Sequence, residues 1–160
     1  VHFFYLKIPQ FNMFVAQGKR NELDKLLKTI QKQSLLVFLA GSLALIFLLI
    51  FIFPIIHWNT RVLPTYEIVI ILIAEGANLI VFNWAYYLRS HKEEPYVKIS
   101  AISTLFIALG VWICFYLYSS TFLALCSYCA VALVMLIPAW KVFVKKRKEY
   151  DELWGQSNYD

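Results

Sequence analysis

Residues 99–140 form a run of 42 positions without a charged side chain, and this run restricts the possible folds more than any other feature. As one straight helix it would be about 63 Å long at roughly 1.5 Å per residue. That length is about twice the roughly 30 Å hydrocarbon core of a bilayer, so the run must turn back once. Because hydroxyl side chains favour turns over helix interiors, the turn is predicted at residues 118–121, Tyr-Ser-Ser-Thr. The run therefore predicts two antiparallel spans, at 97–118 and 121–143.

Two further stretches are each long enough for one span of about 20 apolar residues. Residues 33–56 carry no charge, and residues 68–88 carry only Glu75, which predicts spans at 34–57 and 66–88. Apolar residues make up 61% of the chain, more than the roughly half that is typical of soluble domains, so the surplus can face lipid. The predicted fold class is all-α: a polytopic transmembrane helix bundle with four spanning helices.

The basic residues predict how these spans are oriented. Of the 15 Lys and Arg residues, Arg61 alone lies in a loop on one side of the predicted bundle, and the other 14 lie on the opposite side. Since positively charged loops stay in the cytoplasm, both visible ends are predicted to be cytoplasmic, with 144–160 as a basic tail. The net charge of +5 is then explained by topology and by contact with anionic lipid headgroups, and no nucleic-acid partner is expected.

Residues 1–33 are predicted to contain the end of a preceding helix and a cytoplasmic amphipathic segment. Within 21–33, apolar residues recur at i, i+3, i+4 and i+7, namely Leu23, Leu26, Leu27 and Ile30. This stripe fits a helix that lies on the membrane surface, and it equally fits an extension of the first span into water. The chain begins with Val1 and shows no signal peptide, so we expect it to be the last part of a longer protein.

Glu75 is the residue that most strongly suggests a functional site, because a carboxylate at membrane depth is costly and is usually placed for a purpose. It is either a protonated group that bonds a neighbour in a packed interface or a contact for substrate or a coupling ion, H⁺ or Na⁺. Asn78 shares its helix face, although asparagines in spans more often join helices than bind ligands. Arg89 is either an anchor for an anionic headgroup or phosphate or an ordinary interface arginine.

No catalytic motif is found in the sequence, and no enzyme activity, catalytic residue, metal site or other cofactor is predicted. A glycine-rich phosphate loop, an H-E-x-x-H motif and a nucleophile paired with a base are all absent. Cys126-Ser-Tyr-Cys129 is formally a C-x-x-C motif, but it lies inside a predicted span, where ordinary helix packing is the better explanation of its cysteines.

Residues 87–96, Tyr-Leu-Arg-Ser-His-Lys-Glu-Glu-Pro-Tyr, resemble a charged loop near the C-terminus of bacterial polysaccharide and O-antigen flippases. These proteins belong to the multidrug/oligosaccharidyl-lipid/polysaccharide exporter superfamily. Residues 9–26, 61–64 and 138–148 resemble other parts of the family in the same order. The turn at 118–121 departs from it, because the family often has a glycine-containing loop there. The family also has many more helices, so the resemblance implies a C-terminal fragment whose partner is the missing first half of the same chain.

The resemblance implies a transporter of the bacterial inner membrane that flips lipid-linked oligosaccharide, the repeat unit of a polysaccharide, by alternating access, commonly driven by an ion gradient. Glu75, Asn78 and Arg89 would then be candidate pathway residues, and membrane lipids the other partners. One alternative is a drug or metabolite exporter of the same superfamily. Another is a small four-helix membrane subunit or scaffold. A membrane-embedded enzyme ranks last, because the outer loops carry only His57 and Arg61 as candidate catalytic residues.

Overall fold

The protein is described by a computed structural model for residues 8–55, 62–91 and 94–156, and within these ranges it is helical and contains no strand. The helices are α1 (Ile8–Ala16), α2 (Arg20–Phe47), α3 (Thr65–Ser90), α4 (Tyr96–Tyr118) and α5 (Thr121–Gln156). Four stretches are long and apolar enough to cross a membrane: Asn21–Ile55, α3, α4 and Thr121–Tyr150. The predicted all-α fold with four candidate spans is confirmed.

The predicted turn within the long uncharged run lies where α4 ends and α5 begins. Ser119 adopts a left-handed conformation with φ of 47°, and its N–H donates to the Phe115 carbonyl at 3.1 Å. The Ser120 hydroxyl accepts a hydrogen bond from the Leu123 N–H at 3.4 Å, which caps the start of α5. The hydroxyl residues therefore reverse the chain by satisfying backbone groups at both helix ends.

Helix α2 continues through a π-helical turn, Leu48–Ile52, into the short segment Phe53–Ile55. The Phe53 N–H donates to the Leu48 carbonyl, five residues back. Pro54 explains this local widening, because proline has no N–H and its ring clashes with the carbonyl four residues earlier. The helix therefore accommodates Pro54 close to its end without breaking before it.

The helices pack around α5, which contacts both α3 and α4, while α2 packs on α3 and α1 contacts α2 and α3. Most large buried side chains lie at one end of the bundle, where most of the basic residues also lie; we call it the basic end. There the buried cluster comprises Phe11, Leu23, Leu27, Ile30, Trp84, Tyr87, Leu88, Tyr96, Ala139, Phe143 and Tyr150. The ring of Trp84 stacks on Phe143 with centroids 5.5 Å apart.

The amphipathic segment 21–33 is the first part of α2, so it extends the helix of the first span. Its apolar stripe does not face water or lipid, because Leu23, Leu27 and Ile30 are all buried in the cluster at the basic end. An ion pair between Asp24 and Arg147 joins this segment to α5. The stripe therefore packs against other helices of the protein and not against the membrane surface.

The last helix extends further than the sequence predicted. The predicted span ends at 143 and a basic tail follows at 144–160, whereas α5 remains helical to Gln156. Tyr150 is buried and lies against His91, with ring centroids 3.9 Å apart and planes 12° apart. The helix continues because these contacts give the basic segment an apolar face to bury.

Candidate functional site

A chain of hydrogen bonds joins α3 and α5 near the middle of the bundle. The Tyr128 hydroxyl donates to Glu75 Oε1 at 2.6 Å. The same hydroxyl accepts a hydrogen bond from Asn78 Nδ2 at 2.9 Å. We call Glu75, Asn78 and Tyr128 the mid-span triad, and two of its members are candidate site residues that the sequence had singled out.

The geometry of the two helices explains how the mid-span triad forms. Glu75 and Asn78 are three residues apart and so project from the same face of α3. Helices α3 and α5 start at the same end of the bundle, where Tyr66 meets the edge of Phe122 at a centroid distance of 5.7 Å. Tyr128 lies two turns into α5, and this places its hydroxyl between the carboxylate and the amide.

The mid-span triad is asymmetric in its exposure. Asn78 and Tyr128 are partly buried between α3 and α5, whereas the Glu75 side chain is exposed on the surface of the bundle. Glu75 Oε1 accepts the tyrosine proton, and no described residue donates to Oε2. The arrangement fixes one oxygen of the carboxylate and leaves the other open to a proton, a small cation or a polar group.

The described residues contain no group of three or more His, Cys, Asp or Glu side chains that could hold a metal ion. Cys126 and Cys129 are partly buried and are not joined by a disulfide.

The structure does not bring Arg89 to the mid-span triad, since it lies 14 residues from Glu75, about 21 Å along the axis of α3. Arg89 lies instead at the mouth of a groove between α3 and α4, with a volume of 430 Å³. Arg89 Nε lies 3.4 Å from Glu94 Oε1, and its guanidinium lies over the ring of Tyr86 at 5.8 Å. Asn78 lines the other end of this groove, so the groove and the triad share one residue.

Asn83, the other asparagine in the second span, has a structural role. It is fully buried, and its Nδ2 donates to the Ser34 hydroxyl at 3.0 Å, which joins α3 to α2. Asn78 likewise joins α3 to α5. Both asparagines therefore connect helices, as the packing interpretation predicted.

Tyr128 is the site residue that the sequence analysis missed. It lies inside the C-x-x-C pattern of residues 126–129, whose two cysteines are the more conspicuous feature of the sequence. A signal was available: tyrosine is enriched at the membrane interfaces, and when it is buried its hydroxyl usually finds a hydrogen-bond partner. A tyrosine two turns inside a span, with a carboxylate in a neighbouring span, could have suggested the pair.

Comparison with known proteins assigns no family to this chain. No protein-family model matches it, no curated protein matches it significantly, and no solved structure does so. The functional interpretation therefore depends on the site geometry and on the sequence pattern.

Proposed function

We propose that the chain forms part of a transporter that moves lipid-linked oligosaccharide across the bacterial inner membrane by alternating access. In this proposal the face of α3 that carries Glu75 lines the transport pathway. The observation that carries the proposal is an exposed carboxylate in the middle of a candidate span, held in place by Tyr128.

The exposure of Glu75 supports a pathway, because an exposed carboxylate in contact with lipid tails would be energetically unfavourable. A carboxylate that faces lipid at mid-span is disfavoured by about 2.5–3.5 kcal/mol on insertion scales, so such groups face a polar cavity or another protein surface. The Tyr128 hydroxyl satisfies one oxygen only. The open oxygen suits a coupling H⁺ or Na⁺ whose binding changes the charge of the pathway.

The substrate class comes from the resemblance of residues 87–96 to the polysaccharide flippases. The orientation comes from the basic residues, which place the basic end in the cytoplasm if positive loops stay inside. Labelling of a Thr60→Cys variant, in a background without Cys114, Cys126 and Cys129, tests this orientation. An impermeant maleimide applied from outside should label it, and labelling only after permeabilisation would invert the topology.

The transport proposal is tested with Glu75→Gln in the full-length protein, reconstituted in vesicles and supplied with lipid-linked oligosaccharide. We expect Glu75→Gln to abolish transport driven by an ion gradient while the protein level stays normal. Glu67→Gln is the matched control, since Glu67 is the other carboxylate of α3, lies in its first turn about 12 Å from Glu75 along the helix axis, and is buried. Transport by Glu75→Gln at the control rate would refute a coupling role for Glu75.

The same vesicles separate the two transporter classes. A wild-type protein that moves cationic dyes but not the lipid-linked oligosaccharide would indicate a drug exporter of the same superfamily. In that case the exposed carboxylate would act as a partner for cations, and the flippase assignment would be wrong.

A further inference from the structure

The groove between α3 and α4 is a second feature that the mid-span triad does not explain. Helix α5 packs against both α3 and α4, and it forms the floor of the groove through Ala132 and Met135. The volume of 430 Å³ lies within the range of about 300–1,000 Å³ that is usual for small-molecule sites.

The groove matches one leaflet of a bilayer in length. It extends from Asn78, near the middle of α3, to Arg89 at the basic end. Eleven residues of helix cover about 16 Å, which is close to half of the roughly 30 Å hydrocarbon core. A ligand that fills the groove would therefore lie in one leaflet, with its far end near the midplane.

The chemistry of the lining changes along this length. Apolar side chains such as Val81 and Met135 line most of the deep part, which also contains Asn78, while the mouth carries the charged pair Arg89 and Glu94. An amphipathic ligand with an apolar chain and a charged head would fit this gradient. A lipid in the leaflet next to the basic end has the same orientation, with its headgroup at that end and its acyl chains towards the midplane.

Arg89, at the mouth of the groove, has hydrogen-bond donors that its ion pair with Glu94 does not use. Its charged partner is Glu94, at 3.4 Å from Nε, and both side chains of this pair are more than half exposed. The terminal guanidinium nitrogens make no hydrogen bond among the described residues. A planar guanidinium with two free N–H groups can donate to two oxygens of a phosphate. The ion pair with Glu94 is weak because both side chains are exposed to water, so it would not prevent Arg89 from binding a phosphate.

We propose that this groove is a binding site for an anionic phospholipid of the surrounding leaflet, with one acyl chain between α3 and α4 and its phosphate on Arg89. The inference does not depend on the transport proposal, because a resident lipid would serve any membrane protein with this surface. A phospholipid is preferred as the occupant because the groove ends near the midplane. The leaflet next to the basic end would also be the anionic one in the orientation that the basic residues predict. The site also gives Arg89 a role in binding phosphate. Arg89 is too far from the mid-span triad to take part in that site.

Native mass spectrometry of the purified protein tests the site, with dioleoyl phosphatidylglycerol and dioleoyl phosphatidylcholine as probes. We expect one tightly retained phosphatidylglycerol, favoured over phosphatidylcholine by about tenfold, because both lipids offer the same phosphate but the choline cation of phosphatidylcholine neutralises its headgroup and is repelled by Arg89. Arg89→Ala should remove this preference. Lys98→Ala is the matched control, because Lys98 is an exposed cation on the same end of α4 that does not line the groove.

A second pair of variants tests the apolar part of the groove. Ala101→Phe places a ring in the groove and should reduce retention of both lipids, whereas Ala108→Phe adds the same ring to an exposed position of α4 outside it. The proposal is overturned if Lys98→Ala lowers the preference as much as Arg89→Ala, or if Ala101→Phe and Ala108→Phe behave alike. It is also overturned if a polyprenyl phosphate displaces phosphatidylglycerol at equal concentration, because the site would then belong to a carrier lipid.

Discussion

Replacing Tyr128 by phenylalanine tests the mid-span triad directly, because it removes one hydroxyl and keeps the ring. Two hydrogen bonds disappear, the 2.6 Å bond to Glu75 and the 2.9 Å bond from Asn78. Interhelical hydrogen bonds in membrane proteins average about 0.6 kcal/mol each and reach about 1.7 kcal/mol. We therefore expect Tyr128→Phe to lower the free energy of unfolding by about 1–3 kcal/mol.

A double-mutant cycle with Glu75→Met isolates the bond to the carboxylate. Methionine has a similar length and no charge, so Glu75→Met removes the acceptor of the Tyr128 hydroxyl and keeps most of the bulk of the side chain. In the Tyr128→Phe background the same substitution sacrifices no hydrogen bond. The difference between the effects of Glu75→Met in the two backgrounds is the coupling energy, expected at about 0.6–1.7 kcal/mol.

Reversible unfolding in mixed detergent micelles, followed by circular dichroism, measures all four proteins of the cycle. Tyr116→Phe is the control, since this tyrosine is 75% exposed and its hydroxyl bonds no described residue. Its effect should stay below about 0.5 kcal/mol, as is usual for exposed positions. If Tyr128→Phe and Glu75→Met are additive to within about 0.3 kcal/mol, the two side chains do not interact and the argument for the site fails.

Three further variants test the packing of the helices by the same unfolding measurement. A Cβ on Gly110 would clash with Ser127 Oγ, whereas it would lie at an ordinary 3.5 Å from Ser127 Cβ. Gly110→Ala should therefore lower the free energy of unfolding, and adding Ser127→Ala should restore it. If the double variant loses as much stability as Gly110→Ala alone, the clash is not the cause. Phe143→Ala should cost about 3–5 kcal/mol, because the ring is 3% exposed at the basic end, and a loss below 1 kcal/mol would argue against a packed cluster. Asp24→Asn should lower the free energy of unfolding by about 1–2 kcal/mol, because its ion pair with Arg147 is only partly buried. In an Arg147→Ala background the loss should be much smaller, because the pair is already broken.

The sequence predicted features that depend on local patterns. The turn at 118–121 was predictable because a bilayer limits the length of any one span and because only four consecutive residues in the long run favour a turn. The apolar face of residues 21–33 was predictable because its helical period is regular. In both cases the deciding information lies within a few helical turns of the chain.

Features that depend on pairing between distant residues could not be predicted in this way. The extension of α5 to Gln156 requires Tyr150 to meet His91, which directly follows α3 and lies 59 positions earlier in the chain. The link between Tyr128 and Glu75 likewise requires the register of α5 against α3. Arg89 and Asn78 lie on one helix, but the groove that connects them needs α4 as its second wall.

The two kinds of packing in this protein reflect the two solvents that its helices would meet. In water, burying large apolar side chains is strongly favourable, and the aromatic and leucine cluster lies at the basic end. Within a bilayer that driving force is lost, because lipid tails are as apolar as leucine, and small residues and hydrogen bonds hold helices together instead. The buried positions deeper in the spans are accordingly mostly alanines, namely Ala74, Ala77, Ala124 and Ala132. Cluster substitutions should therefore unfold the basic end, whereas changes at the mid-span triad should alter how α3 meets α5 while that end stays intact.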